Sequence, residues 1–160
     1  MNIFPNRKNY YILIFTISAL SILTALYIEF ILLHKPCKLC IYQRLPYIAA
    51  ILSSLIGYYY YKNDKILILN LIIFSLSFLI SGYHFGIENN FFNEFSGCSN
   101  NSLEILDKTK LLENINKIMP TNCKDVNFNI FGFSLATINA IISMLIIILS
   151  TRTLVYETNK

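Results

Sequence analysis

Four long apolar runs, separated by polar segments, divide the chain. They cover approximately residues 11–33, 41–61, 66–87 and 130–151, and a helix that crosses a bilayer needs about 20 predominantly apolar residues. Each run is therefore long enough to span a membrane once. The pattern predicts an all-α fold, a four-helix transmembrane bundle in which residues 1–160 form a single membrane domain.

A cleaved signal peptide is the competing interpretation of the first apolar run. A signal peptide has an apolar core of about 7–15 residues, followed by small residues at the cleavage site. The run at 11–33 is longer, contains Glu29 as its single charge, and ends in Leu32-Leu33-His34-Lys35-Pro36 without a small residue. We therefore expect a retained helix.

Two loops are expected on the same side of the membrane. Four crossings place both termini on one side and the loops at about 34–40 and 88–129 on the other. In the longer loop, apolar residues at helical spacing predict a short amphipathic helix from about Ser102 to Ile118. This helix lies either at the membrane interface or on a small core of the loop itself. The apolar residues are Leu111, Leu112, Ile115, Ile118 and Met119.

The composition is that of a membrane protein. The chain is 55% hydrophobic with a mean hydropathy of +0.53, and 14% of its residues are charged, against about 25% in soluble domains. The net charge of +4 is not gathered into a patch. The lipid bilayer is therefore the expected surrounding, and nucleic acid is not an expected partner.

All four cysteines lie in the two loops on the same side: Cys37 and Cys40 in the first, Cys98 and Cys123 in the second. Structural disulfides explain Cys98 and Cys123 adequately, but a Cys-X-X-Cys bridge closes almost no loop and stabilises little. A four-cysteine zinc site needs closer spacing than that of the second pair, so no metal is expected. Two unlike thiol pairs favour a relay of disulfide exchange.

Arg44 follows Cys40 by one helical turn. If the second span becomes helical at Leu39 or Cys40, Arg44 lies on the same face as Cys40. The guanidinium and the helix N-terminus would then both favour a thiolate at Cys40. Pro46 is expected in the first turn of this helix, or else at a kink. The competing interpretation of Arg44 is an interface anchor, and for Glu29 a functional carboxylate and a headgroup contact remain equal alternatives.

The number of basic residues does not orient the bundle. Six lie on the side of the termini and seven on the side of the cysteine loops. The six crowd close to span ends, where the positive-inside rule applies, and disulfide chemistry persists outside the cytoplasm. We therefore expect periplasmic cysteine loops, cytoplasmic termini and a bacterial inner membrane. The six are Arg7, Lys8, Lys62, Lys65, Arg152 and Lys160.

Three motifs carry a resemblance to a known family. Pro36-Cys37-Lys38-Leu39-Cys40-Ile41-Tyr42-Gln43-Arg44 resembles the first-loop motif of the disulfide bond formation protein B (DsbB) family. Gly82-Tyr83-His84-Phe85-Gly86-Ile87-Glu88, followed by Cys98, resembles the exit from the third span of that family. Cys123, followed by Phe131-Gly132-Phe133-Ser134-Leu135-Ala136 and Asn139, resembles the entry into the fourth span. The resemblance covers nearly the whole chain.

The resemblance implies a four-helix enzyme of the inner membrane. It would reoxidise a periplasmic DsbA-like dithiol oxidase and pass the electrons to the membrane quinone pool, ubiquinone or menaquinone, in support of disulfide bond formation. The resting disulfides implied are Cys37–Cys40 and Cys98–Cys123. Arg44 matches the arginine that supports quinone binding, and His84, Glu88 and Asn89 are candidates for the other quinone-side residue.

The resemblance also assigns an order to the thiols. Cys98 would meet the partner protein, and Cys123 would resolve that complex and attack the first-loop pair. Cys37 would receive this attack, and Cys40 would be released as the thiolate that faces the quinone.

Two alternative functions remain open. One is an enzyme similar to vitamin K epoxide reductase, although its Cys-X-X-Cys lies near the end of a late helix, whereas here it follows the first span. The other is a non-catalytic membrane protein whose loop is stapled by disulfides.

Overall fold

Four helices run through the bundle, and all four are long and apolar enough to span a membrane. The computed structural model of the protein describes residues 6–34, 36–93, 123, 129–130 and 132–158. The helices are α1 (Arg7–Phe30), α2 (Lys38–Tyr59), α3 (Asp64–Glu88) and α4 (Leu135–Thr158). The expectation of four helices that are long and apolar enough to span a membrane is thereby confirmed. The amphipathic helix predicted from Ser102 to Ile118 lies outside the described residues, and the single-domain organisation stays a prediction.

Helix α2 begins earlier than the sequence predicted. Cys37 occupies the N-cap position, and its sulfur accepts a hydrogen bond from the backbone N–H of Cys40 at 3.1 Å. A side chain that accepts such a bond satisfies one of the free N–H groups at the start of a helix. The helix therefore starts at Lys38, and Pro46 lies inside it. Of the two expectations for Pro46, the position in the first turn is wrong, and the kink stays a prediction.

Helix α4 begins later than predicted because a tight hairpin precedes it. Strands β1 (Asn129–Ile130) and β2 (Phe133–Ser134) pair antiparallel. Gly132 lies between them with a φ of +84°, a left-handed conformation that glycine adopts without a steric penalty. Ser134 then accepts a hydrogen bond from the backbone N–H of Thr137 at 3.2 Å. The hairpin thus occupies the first residues of the span predicted at 130–151.

Neighbouring helices pack in sequence order, α1 on α2, α2 on α3 and α3 on α4. The core that they share includes Tyr10, Ile14 and Phe74, all fully buried. A close approach between α1 and α2 involves Gly57 of α2, because a Cβ built there would lie 2.3 Å from Cε1 of the Tyr11 ring. The absence of a side chain at Gly57 therefore lets α1 lie against α2.

Polar side chains join the helices across this core. Tyr10 of α1 and Ser150 of α4 are hydrogen-bonded through their hydroxyls at 2.7 Å. Ser53 donates to Asn70 at 2.6 Å, between α2 and α3. Hydrocarbon offers no hydrogen-bond partners, so these groups satisfy one another, each at about 0.6 kcal/mol.

An ion pair joins the helices at the end of the bundle that holds the start of α1. Arg7 Nη2 lies 2.6 Å from Asp64 Oδ1, and Arg7 also donates to the carbonyl oxygen of Tyr61 at 3.2 Å. These contacts tie α1 to the turn between α2 and α3. The opposite end, which holds Cys37 and Cys40 and is called the thiol end below, contains a cavity instead.

Candidate active site

Two free thiols stand at the first turn of α2. Cys37 and Cys40 are not bonded to each other. Cys37 is buried, with 6% of its surface exposed, and Cys40 is half-buried. The structure thus shows the dithiol form of the pair, and the resting Cys37–Cys40 disulfide stays a prediction.

His84 approaches the thiols from α3. It is buried, at 3% exposure, and its Nε2 lies 3.7 Å from Cys37 Sγ. Its Nδ1 lies 3.0 Å from the side-chain nitrogen of Gln43. Because an amide nitrogen only donates, Nδ1 accepts this bond and Nε2 carries the proton. That N–H therefore faces the Cys37 sulfur.

Gln43 is the residue of this site that the sequence reasoning missed. It is buried in α2 and holds the His84 ring by the bond just described. Its position gave a signal, because Gln43 lies three residues after Cys40 and so shares a helix face with it. A polar amide on the face of the thiol is a candidate for supporting the site.

The dithiol favours a thiolate on Cys37. Its pKa is lowered from 9.0 to about 5, chiefly by the hydrogen bond from the Cys40 thiol. Burial opposes this shift, and the hydrogen bond and charge of His84 add to it. The expected preference for a Cys40 thiolate is wrong for this state, since Cys37 caps α2 and its sulfur accepts the backbone N–H of Cys40. The release of Cys40 during exchange concerns another state and stays a prediction.

Arg44 forms an ion pair with Glu29. Its Nη1 lies 2.5 Å from Glu29 Oε2, and the two side chains are 20% and 28% exposed. The pair connects α2 to α1 beside the thiols. The sequence left Glu29 without an assigned contact, and the structure supplies Arg44 as its partner. The role of Arg44 in quinone binding stays a prediction.

Glu88 connects the end of α3 to the start of α4. Its Oε2 accepts a hydrogen bond from the Ser134 hydroxyl at 2.5 Å, and its Oε1 lies 3.7 Å from His84 Nε2. His84 and Glu88, two of the candidates for the quinone side, therefore lie next to each other. Their role toward quinone stays a prediction.

A cavity of about 440 Å³ opens beside these groups. Its volume is that of a small-molecule pocket. All four helices line it, and seven of the lining residues are isoleucines or leucines. The polar or thiol-bearing lining residues are Ser21, Thr24, Glu29, His34, Cys37, Cys40, Gln43, Arg44, Tyr47, His84, Glu88 and Asn139.

Cys123 of the long loop lies at the same end of the bundle. It is buried and disulfide-bonded, and it belongs to one buried cluster with Cys37, Leu39 and Ile87, against which Cys40 packs. Its backbone also hydrogen-bonds to His84. Cys98, the predicted partner of Cys123, lies outside the described residues, so their pairing stays a prediction.

Known proteins resemble this chain over most of its length. The family model for disulfide bond formation protein DsbB matches residues 7–152. An uncharacterised protein of Rickettsia prowazekii (strain Madrid E) is 28% identical over 155 residues, which cover 93% of this chain and 89% of that protein.

A second relative matches a shorter segment. The disulfide bond formation protein B of Blochmanniella pennsylvanica (strain BPEN) is 45% identical over 51 residues, which cover 32% of this chain and 29% of that protein. Four membrane-spanning helices, a Cys-X-X-Cys dithiol at the start of the second, and a family match over nearly the whole chain lead to one conclusion: the chain belongs to the DsbB family of disulfide bond formation proteins.

Proposed function

We propose that the protein is a protein-dithiol:quinone oxidoreductase. It takes two electrons from a DsbA-like thiol oxidase and passes them through its own cysteines to a membrane quinone. The observation that carries the proposal is that the Cys37/Cys40 dithiol opens on an apolar cavity of about 440 Å³ at the thiol end of the bundle. Family membership supports disulfide bond formation as the process that it serves.

The cavity suits a quinone in its donor set and its walls. Arg44, Gln43 and His84 present N–H groups, which are the donors that quinone carbonyl oxygens accept. Isoleucines of α1 and α4, among them Ile17, Ile28 and Ile142, would pack on the ring and tail. A bound quinone supplies a two-electron acceptor that also takes up two protons.

The residues of the chain account for both electrons and both protons. Cys37 and Cys40 together give up two protons and two electrons as their sulfurs form one S–S bond, so the exchange with a quinone balances without another reactant. His84 holds a proton at Nε2 beside Cys37 Sγ, and Arg44 contributes a fixed positive charge at the cavity wall.

The position of Cys123 supports the first half of the relay. Its cluster with Cys37 and Cys40 places Cys123 beside the dithiol. Each exchange breaks one S–S bond and forms another through a mixed disulfide. We propose that Cys98 meets the partner oxidase, that Cys123 resolves that complex and attacks Cys37, and that Cys40 is released. We also propose periplasmic thiols, cytoplasmic termini and the bacterial inner membrane as the location.

A coupled assay tests this function. The detergent-solubilised protein is mixed with a reduced DsbA-like oxidase and ubiquinone or menaquinone, and the quinone absorbance is followed. We expect quinone reduction that depends on both the reduced oxidase and the enzyme. Cys37→Ala and Cys40→Ala should each abolish it, whereas Cys40→Ala still forms mixed disulfides. Quinone reduction that persists in both variants would show that the dithiol is not the electron donor.

A further inference from the structure

Three ligand atoms of the kind that bind thiophilic metal ions converge at the thiol end. Cys37 Sγ, Cys40 Sγ and a ring nitrogen of His84 all lie within 4.8 Å of one another. Sulfur and imidazole nitrogen are the ligands that Zn²⁺ takes from proteins. No metal is expected from the sequence, because the spacing of Cys98 and Cys123 does not suit a four-cysteine zinc site. The structure supplies a histidine from α3 as the third ligand instead.

The distances fit a tetrahedral ion. With Zn–S of about 2.3 Å and Zn–N of about 2.0–2.1 Å, a tetrahedral site separates sulfur from nitrogen by about 3.6 Å. Cys37 Sγ and His84 Nε2 are 3.7 Å apart. An ion placed between these two atoms therefore needs little movement of either side chain. Cys40, the half-buried member, would turn its sulfur to the third position.

Neighbouring groups support the same geometry. Gln43 contacts Nδ1 of the His84 ring at 3.0 Å. A metal ion on Nε2 moves the ring proton to Nδ1, and Gln43 then turns its amide oxygen to accept that proton, as the outer partners of metal-bound histidines do. Glu88 Oε1 lies 3.7 Å from Nε2 and offers an oxygen for the fourth position, which a water from the cavity would otherwise fill. The cavity that all these residues line gives an ion a route to the thiols.

We propose that the dithiol form of the protein binds one Zn²⁺ ion through Cys37, Cys40 and His84, and that the ion arrests turnover. Binding takes both sulfurs as thiolates, so the Cys40 thiol releases its proton to solvent, Cys37 releases one only where it is still protonated, and no electron moves. The disulfide form has no thiolates to offer and does not bind the ion. The arrest of turnover rests on the proposed function, whereas the binding itself does not.

Metal binding is measured without any activity assay. The full-length chain carrying Cys98→Ser and Cys123→Ser keeps only the two thiols of the site, and zinc is titrated into it in competition with a chromophoric chelator. We expect one zinc per reduced chain and none per chain oxidised to the disulfide. His84→Ala should weaken the affinity at least ~10-fold. His34→Ala is the matched control, because the other histidine of the chain also lines the cavity but is not a ligand, and its affinity should be unchanged.

Cobalt tests the coordination in the same background without altering His84. Co²⁺ bound by two thiolates in a tetrahedral site should give intense visible bands, which zinc then displaces. Three results would each contradict the proposed site. They are the weak visible bands of octahedral Co²⁺, a zinc affinity of His84→Ala equal to that of the parent protein, and a zinc affinity of the oxidised chain equal to that of the reduced chain.

Inhibition of the wild-type enzyme tests the consequence. Zinc should slow quinone reduction at concentrations near its dissociation constant for the dithiol, and a chelator should restore the rate. If zinc binds as expected and the rate does not change, the arrest is wrong. If the zinc-free enzyme reduces no quinone, the proposed function fails, and the binding experiments still decide on the metal site.

Discussion

Arg44 of α2 and Glu29 of α1 form an ion pair at the wall of the cavity, with 2.5 Å between Nη1 and Oε2. Both side chains are mostly buried, so the pair fixes the guanidinium beside the thiols and also holds two helices together. Arg44 therefore has two roles to separate, one toward the bound acceptor and one toward α1.

Substitution of Arg44 and Glu29 should distinguish these roles. Arg44→Ala should raise the apparent KM for quinone and lower thermal stability, because it removes a donor and leaves the Glu29 carboxylate unpaired. Arg44→Lys should do less damage to the KM, since the charge stays while the planar fork is lost. The measurements are quinone reduction over a range of quinone concentrations and the unfolding temperature in detergent.

The double variant Arg44→Ala/Glu29→Gln provides the control for that prediction. The effects of substituting the two residues of one ion pair on the free energy of unfolding are coupled by about 0.5–3 kcal/mol. The double variant should therefore be more stable than Arg44→Ala, whereas its KM for quinone should stay as high as that of Arg44→Ala. If Arg44→Ala has the same KM for quinone as the parent protein, Arg44 serves only to hold α1 through Glu29 and does not bind quinone.

The reactivity of Cys37 should depend on pH in an unusual range. A lowered pKa keeps the thiolate at lower pH, so the alkylation rate of Cys37 should fall only as the pH drops through about 5, well below the 9.0 of an ordinary thiol. Cys40→Ala should shift the midpoint upward, because the hydrogen bond from Cys40 is the largest cause of the low pKa. His84→Ala should shift it upward by less.

This titration is made on reduced protein that carries Cys98→Ser and Cys123→Ser, with a metal chelator present. Mass spectrometry locates the alkylated cysteine. A midpoint near 9 in the parent protein would contradict the prediction, as would preferential alkylation of Cys40 at pH 6–7.

Gly57→Ala should destabilise the bundle. The added Cβ would lie 2.3 Å from the buried ring of Tyr11, and overpacking of this kind costs about 1–3 kcal/mol. Gly82→Ala is the matched control on α3, because a Cβ there meets nothing within 4 Å and alanine favours the helix. Unfolding temperatures in one detergent should fall for Gly57→Ala and stay or rise for Gly82→Ala. Equal values would show that α1 and α2 do not approach as described.

Gln43→Leu should slow the oxidation of the dithiol by quinone. Without its amide, Nδ1 of His84 loses its partner, and the Nε2 proton is no longer held toward Cys37. We expect a lower rate with little change in stability, measured by stopped-flow absorbance of quinone. Tyr42→Phe, at the exposed neighbouring position, should leave the rate unchanged. If Gln43→Leu oxidises its dithiol at the same rate as the parent protein, Gln43 does not support the reaction.

Variants of the long loop should reveal the order of the relay. Cys123→Ala should accumulate a covalent complex with the DsbA-like partner, because the resolving thiol is missing, whereas Cys98→Ala should form none. Non-reducing gels of the mixed proteins detect the complex. Accumulation with Cys98→Ala in place of Cys123→Ala would reverse the two roles.

The sequence determined the four apolar helices that are long enough to span a membrane. Length and hydropathy are local properties of each segment, and insertion into a bilayer depends on them directly. It also determined which loops carry the thiols. It missed the boundaries of α2 and α4, since these depend on particular capping contacts. The Cys37 sulfur starts α2 before Leu39, and the hairpin around Gly132 delays α4.

Only the tertiary structure decided the chemistry around the thiols. His84 comes from α3 and Glu29 from α1, so no spacing in the chain places them beside Cys37 or Arg44. The sequence placed the favoured thiolate on Cys40 because Arg44 follows it by one turn. In the folded chain Arg44 binds Glu29, and the backbone N–H of Cys40 and the ring of His84 contact the Cys37 sulfur, so the thiolate is favoured there. The pKa of a thiol depends on its distances to charges and hydrogen-bond donors, and these distances are set only when the helices pack.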